Sequence, residues 1–151
     1  MDKLIQAAIE RECHWLSVAY ARYVDFRQYD DFADLFDMEG LLDTGMPLKG
    51  REAIREAMTK RSDKLRSRHV LTNIYIDVID ENHAAGLTYL TLYRHIGDES
   101  LEFSKPIDLG GPAAIGHYDD EFVHTSEGWR FASRRLQFAF RNPAAFPREA
   151  R

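Results

Sequence analysis

The chain has 151 residues, a formal charge of -5 and 44% hydrophobic residues, enough for one domain with a packed core and too apolar for wholesale disorder. A mildly acidic chain of mixed sign carries no electrostatic footprint for nucleic acid. Its one basic cluster, Arg61, Lys64, Arg66 and Arg68, is interrupted by Asp63 and has no interleaved aromatics, so it reads as a solvated helix end.

Residues 3–28 predict one long helix, with Leu4, Ile5, Ala8, Ile9, Trp15, Leu16, Ala19, Tyr20 and Tyr23 at helical spacing. Glu10, Arg11 and Glu12 break any apolar core of a leader peptide. Asp30-Asp31 starts a second, short helix carrying Phe32, Leu35 and Phe36, which Gly40 ends. Leu41–Thr44 reads as a short strand, and Gly45 and Pro47 turn the chain. Residues 50–64 predict a third helix with Ala53, Ile54, Ala57 and Met58 on its apolar side.

The period then changes from helical to alternating. Strands are expected at 69–78, 84–95, 115–124 and 129–140, joined by turns at Asp80-Glu81-Asn82 and Glu127-Gly128. Residues 97–113, rich in Gly and Pro, are a long loop of the kind that closes over sites. The segment 142–151, with Pro143 and Pro147, reads as an irregular tail. No run approaches the roughly 18 apolar residues that span a bilayer. Cys13 stands alone, so neither an internal disulfide nor a cysteine-based metal site can form. The expectation is a soluble, cytoplasmic protein without membrane or nucleic-acid partners.

Helices first and long strands afterwards imply an α+β fold, with helices on a mostly antiparallel sheet. Strands of this length twist and curl. A curled sheet closed by a helix on its concave side forms a cone with a pocket inside. The domain should span residues 1–141.

Four segments carry a family resemblance. They are Tyr23-Val24-Asp25 with Tyr29-Asp30-Asp31-Phe32, Leu48–Ile54, Ser67–Asn73, and Gly116-His117-Tyr118-Asp119 leading to Gly128-Trp129-Arg130-Phe131. Together they resemble the SnoaL-like polyketide cyclases and dehydratases of the nuclear transport factor 2-like superfamily. The resemblance covers the chain up to Phe140. It implies a fold that hosts cyclases, isomerases, dehydratases, epoxide hydrolases and non-catalytic subunits, and a homodimer or homotrimer. Scytalone dehydratase is similar at two positions, its helix-borne Asp matching Asp25 and its strand-start His matching His69. The family's Tyr beside that Asp is Val24 here. A second family His would fall near Tyr93 or Arg94, where none exists. Residues of the family's third long strand map to His117 and Asp119.

Asp25 and His69 are therefore the candidate catalytic pair. An imidazole exchanges protons near neutral pH, and a carboxylate bonded to one ring nitrogen frees the other for substrate. The structural alternative is that Asp25 caps a helix and His69 merely packs at a strand start. His117 and Asp119, two apart on a strand, share one side. If that side is concave they line the pocket. Tyr23, Asn73, Tyr89 and Ser133 complete the candidate substrate-binding set, each with a core or hydrogen-bonding role as the competing reading. No three metal ligands stand at convincing spacing, so no metal is expected. Lys49-Gly50-Arg51 lacks the pattern of a phosphate loop. Ser17, Ser62 and Ser104 lack a nucleophile elbow.

The expected activity is that of a cofactor-independent lyase or isomerase on a hydrophobic, oxygenated ring. His69 would act as base then acid, and Asp25 would orient it. His117, Asp119 and Asn73 would hold substrate oxygens, and the loop 97–113 would close the mouth. The alternatives are a non-catalytic small-molecule binder and a structural subunit, like the β-subunits of ring-hydroxylating oxygenases that share the fold.

Overall fold

A computed structural model describes residues 1–97 and 105–146. Helix α1 runs from Lys3 to Asp25. Asp2 caps its start, accepting from the Leu4 amide at 2.7 Å and the Ile5 amide at 3.3 Å, and so satisfies two orphan donors. Its end is equally defined. The amide of Arg27 bonds the Val24 carbonyl, and that of Gln28 bonds the Tyr23 carbonyl at 2.8 Å, with Arg27 left-handed at φ 59°. This is a Schellman closure with Arg27 in the place glycine usually takes. The Arg27 guanidinium is tied down by the carbonyls of Asp63 at 2.6 Å and Leu65 at 3.0 Å. The helix thus stops at Asp25, three residues before the expected end, and Asp25 lies in its last turn.

A second helix, α2 (Tyr29–Ala33), is shorter than expected. Phe36 opens strand β1 (Phe36–Asp43) rather than closing a helix, and Gly40 lies inside that strand. A Cβ on Gly40 would sit 2.9 Å from the Asp37 carbonyl oxygen, so glycine here permits an irregular bend rather than ending a helix. After β2 (Pro47–Lys49), helix α3 covers only Arg51–Thr59. The basic residues that follow belong to a connection and to β3 (Leu65–Val78), not to a helix end.

Strands β3, β4 (His83–Ile96), β5 (Ala114–Thr125) and β6 (Gly128–Arg141) form an antiparallel meander, as the alternation implied. The six-stranded order is β2-β1-β6-β5-β4-β3, and the β1–β6 pair is the parallel one. Register shifts at Thr72/Tyr75, Ile115/Gly116 and Glu121/Phe122 mark bulges, which add bend and twist. The result is three helices on a curved, mostly antiparallel sheet.

The concave face supplies the core. Leu90, Tyr118, Phe122 and Phe131 are at most 1% exposed and pack in one core cluster with Tyr20 and Phe32 of the helices and Phe36 of β1. Tyr20 packs on Phe32 at 4.7 Å and on Tyr118 at 5.4 Å between ring centroids. The segment expected as an irregular tail holds a short 3-10 turn, Pro143–Ala145, and Phe146 returns to pack on Phe138 at 6.0 Å. Residues 147–151 lie outside the described residues.

Candidate active site

Asp25 reaches the sheet at the start of β3. Its Oδ1 lies 2.6 Å from Nδ1 of His69 and accepts from the Ser67 hydroxyl at 2.9 Å. Its Oδ2 accepts from the His69 backbone amide at 2.8 Å. A carboxylate that is 7% exposed is costly unless its lone pairs are filled, and three donors fill them here. Against an acceptor-only carboxylate, Nδ1 is the nitrogen that carries the hydrogen in the neutral imidazole tautomer, which has its lone pair on Nε2. Among the described residues Nε2 has no partner.

His69 lines a cavity of about 670 Å³ between the sheet and the helices. Val24, Leu48, Met58, Leu92 and Leu136 form apolar wall, and Tyr20 and Tyr118 reach it from deeper in the cone. Burial raises the phenol pKa of Tyr20, against the pull of Arg134 and a hydrogen bond from Tyr118. Burial, then the neighbouring Tyr20, raises that of Tyr118. Both phenols are thus held neutral, as hydrogen-bonding groups rather than bases.

Beneath them is an ion pair that the sequence analysis missed. Arg134 Nε donates to Asp120 Oδ1 and Nη2 to Asp120 Oδ2, each at 2.8 Å, and Nη2 also donates to the Ser17 hydroxyl at 2.8 Å. The guanidinium lies 4.1 Å from the Tyr118 ring centroid and 4.4 Å from those of Tyr20 and Phe131. Burial opposes the Arg134 charge, and Asp120 more than offsets it, so its pKa rises. Burial likewise raises the Asp120 carboxyl even against that arginine. The available signal was the even-numbered row Gly116, Tyr118, Asp120, Phe122, whose apolar members mark the inner face of β5.

A model of the SnoaL-like domain family matches residues 6–135, from α1 into β6. The chain belongs to the SnoaL-like domain family. No curated protein matches it. Among solved structures, a scytalone dehydratase candidate from Novosphingobium aromaticivorans is similar, with TM-score 0.78 and 19% identity over 93% of this chain and 91% of that one. A type 2 hexachlorocyclohexane dehydrochlorinase, LinA, has TM-score 0.77 and 14% identity, covering 93% and 92%. Rv3472 of Mycobacterium tuberculosis, of unknown function, has TM-score 0.73 and 21% identity, covering 97% and 82%. At these identities the likeness establishes the fold.

The remaining candidate residues of this SnoaL-like domain do not line the His69 cavity. His117 and Asp119 do share a side, with Nε2 3.2 Å from Oδ2, but it is the outer one. Their strand partners are the 50% exposed Tyr89, the half-buried Leu87 and the exposed Gln137 and Arg135. Tyr89 shares that outer face. Once Tyr118 and Phe122 occupy the inner row, period-two alternation puts their odd-numbered neighbours outside. Asn73 is exposed at the β3 bulge with φ 50°, a backbone role that explains a polar residue in an apolar strand. Tyr23 packs at the margin of the core. Ser133 is buried opposite Leu41 and Glu121, its hydroxyl without a partner among the described residues. No group of three or more His, Cys, Asp or Glu is placed to hold a metal among the described residues. No helix among them is long and apolar enough to cross a membrane. Of the loop expected to close the mouth, residues 98–104 lie outside the described residues.

Proposed function

We propose that this SnoaL-like domain is a cofactor-independent lyase or isomerase acting on an oxygenated ring by His/Asp acid–base catalysis. The observation that carries the reading is the 2.6 Å contact of Asp25 with Nδ1 of His69, whose other nitrogen belongs to a cavity-lining ring. Nothing local brings together two residues 44 positions apart. Their meeting consumes a buried carboxylate, and a helix cap would not need a histidine.

In this reading His69 serves first as base and then as acid. His69 Nε2 takes a proton from a carbon acidified by an adjacent carbonyl. The electron pair left behind forms a double bond as a hydroxyl departs from the neighbouring carbon, or it is reprotonated elsewhere in an isomerisation. Asp25 stabilises the imidazolium, which then returns its proton to the departing oxygen or to carbon. Ser67 and the His69 amide keep the carboxylate aimed. The neutral phenol of Tyr20, which accepts from Tyr118, would donate a hydrogen bond to a substrate oxygen. The names of the dehydratase-like and dehydrochlorinase neighbours both denote eliminations, the same class of step.

The test is a turnover screen of cyclic hydroxyketones with thermal melts alongside. His69→Ala should lower turnover ~100- to 10,000-fold with the fold intact. Asp25→Asn should stay folded and slow the reaction, because an amide does not stabilise an imidazolium as a carboxylate does. A folded His69→Ala variant with full activity would overturn the reading.

A further inference from the structure

The cavity that holds His69 is not uniformly apolar. Three arginines from three different elements line it: Arg61 from the α3–β3 connection, Arg94 near the end of β4, and Arg141 at the end of β6. No aspartate or glutamate is among the lining residues. Elsewhere in this chain arginines near carboxylates are engaged by them: Arg134 by Asp120, Arg55 by Asp30 and Asp34, Arg51 by Glu127. Among the described residues Arg61, Arg94 and Arg141 have no such partner. What they have is aromatic surface. The Arg94 and Arg141 guanidiniums stack on the same Phe146 ring, 4.7 and 4.5 Å from its centroid, and Arg61 lies 5.9 Å from that of Tyr29. Stacking fixes a guanidinium's plane and leaves its edge donors free.

We propose that this arginine cluster is an anion subsite and that the substrate carries an oxyanion, a carboxylate or a phosphate, bound in the same cavity as His69. The inference rests on the proposed activity and adds a substrate class to it. Three like charges collected around one cavity repel, and burial together with Arg61 and Arg141 lowers the pKa of Arg94. A bound oxyanion relieves that repulsion and pairs with donors whose forked geometry matches its own. The apolar side chains of the same cavity, Val24, Leu48, Met58, Leu92 and Leu136, hold the carbon frame beside the His69 ring. An acid group held by the arginines also fixes the orientation of the ring against His69, which apolar contact, being non-directional, does not. Phe146 comes from the segment that follows the sheet, so that segment helps build the site by seating two of its cations.

The probes are 2-naphthoate, 2-naphthyl phosphate and the neutral 2-naphthamide, titrated calorimetrically against wild type, His69→Ala, Arg94→Gln and Arg141→Gln. One or both anions should bind wild type at least about tenfold more tightly than the amide, and added salt should weaken the anions alone. Which anion is preferred separates a carboxylate site from a phosphate site. Each Arg→Gln change should cost the preferred anion roughly tenfold and leave the amide unmoved, with circular dichroism confirming the fold. Arg141→Gln, at an exposed position, serves if Arg94→Gln fails to fold. Equal binding of all three probes, no binding of either anion, or Arg→Gln losses shared by the amide would overturn the proposal. The His69→Ala arm separates it from the catalytic reading. Retained anion binding with no turnover of any substrate by wild type would sink the catalysis and leave the subsite. Turnover of neutral ketones without anion preference would do the reverse.

Discussion

Asp25 and His69 were legible as residue types, but their pairing depends on a detail the sequence does not advertise. The helix must end within a residue of Asp25, and it does so through Arg27 in a left-handed conformation, not through a glycine. Ser67, two positions before His69 on the same strand, then becomes a third party to the carboxylate. Cys13 illustrates the opposite case, a reactive type made inert by place. Burial pushes its thiol up to about 12, with Glu12 and then Asp120 adding to the effect. Ellman's reagent should therefore find no thiol in the native protein at about pH 8 and one per chain after denaturation. The linked stability runs in a definite direction. The thiol stays neutral in the fold while the unfolded thiol ionises from about 9 upward. Its contribution is therefore full below that value and is lost as pH climbs toward 12. Rapid native labelling would show that α1 opens readily at Cys13.

Among the elements, β3 shows how one strand divides its duties. Its first half offers Ser67 and His69 to the site, and the bulge between Thr72 and Tyr75 bends its second half. Asn73 occupies that bulge at φ 50°, a region tolerated by Asn and Gly but costly for β-branched side chains. Asn73→Gly should leave the urea midpoint nearly unchanged. Asn73→Val should destabilise the protein by roughly 1–2 kcal/mol, although valine is the better strand former. If valine stabilises, the bulge is not a constraint and Asn73 should be reconsidered as a functional residue. Strand β5 carries a parallel lesson. Only the His117/Asp119 row was singled out from the sequence, and the apolar company of Asp120 decided that the other row went inside.

For the whole molecule, the decisive feature is that the deepest part of the cone is ionic. Asp120 and Arg134 are both fully buried, with Ser17 joining from α1 and one arginine nitrogen, Nη1, without a partner among the described residues. Such a pair contributes little net stability, yet breaking it is costly, because the surviving charge has no solvent. Arg134→Met should lower stability by about 3–5 kcal/mol in urea unfolding. Adding Asp120→Leu should recover much of the loss, since an apolar pair leaves no orphan charge. A single variant as stable as wild type would mean that the charges are solvated in a way the packing around Arg134 does not allow. The pair also ties α1 to β5 and β6 on the concave side, and the position of Asp25 depends on that same helix.

Much of this architecture follows from patterns along the chain. The helical stripe of α1, the alternation of β3 to β6, and the turns at Asp80 and Gly128 each reflect a local period that burial of one face enforces. The Asp25/His69 pair was suggested by the resemblance of the SnoaL-like segments and by no local period. What only the tertiary structure decided is which side of each strand is inside, where a helix stops, and what gathers at the cavity mouth. Alternation has no absolute phase, so His117 and Asp119 could be given a shared side but not the correct one. Arg61, Arg94, Arg141 and Phe146 lie on separate elements and share no spacing, so their convergence is a property of sheet curvature and chain return. Charges brought together across long sequence separations leave no periodic trace, and they become visible only where the folded chain makes them neighbours.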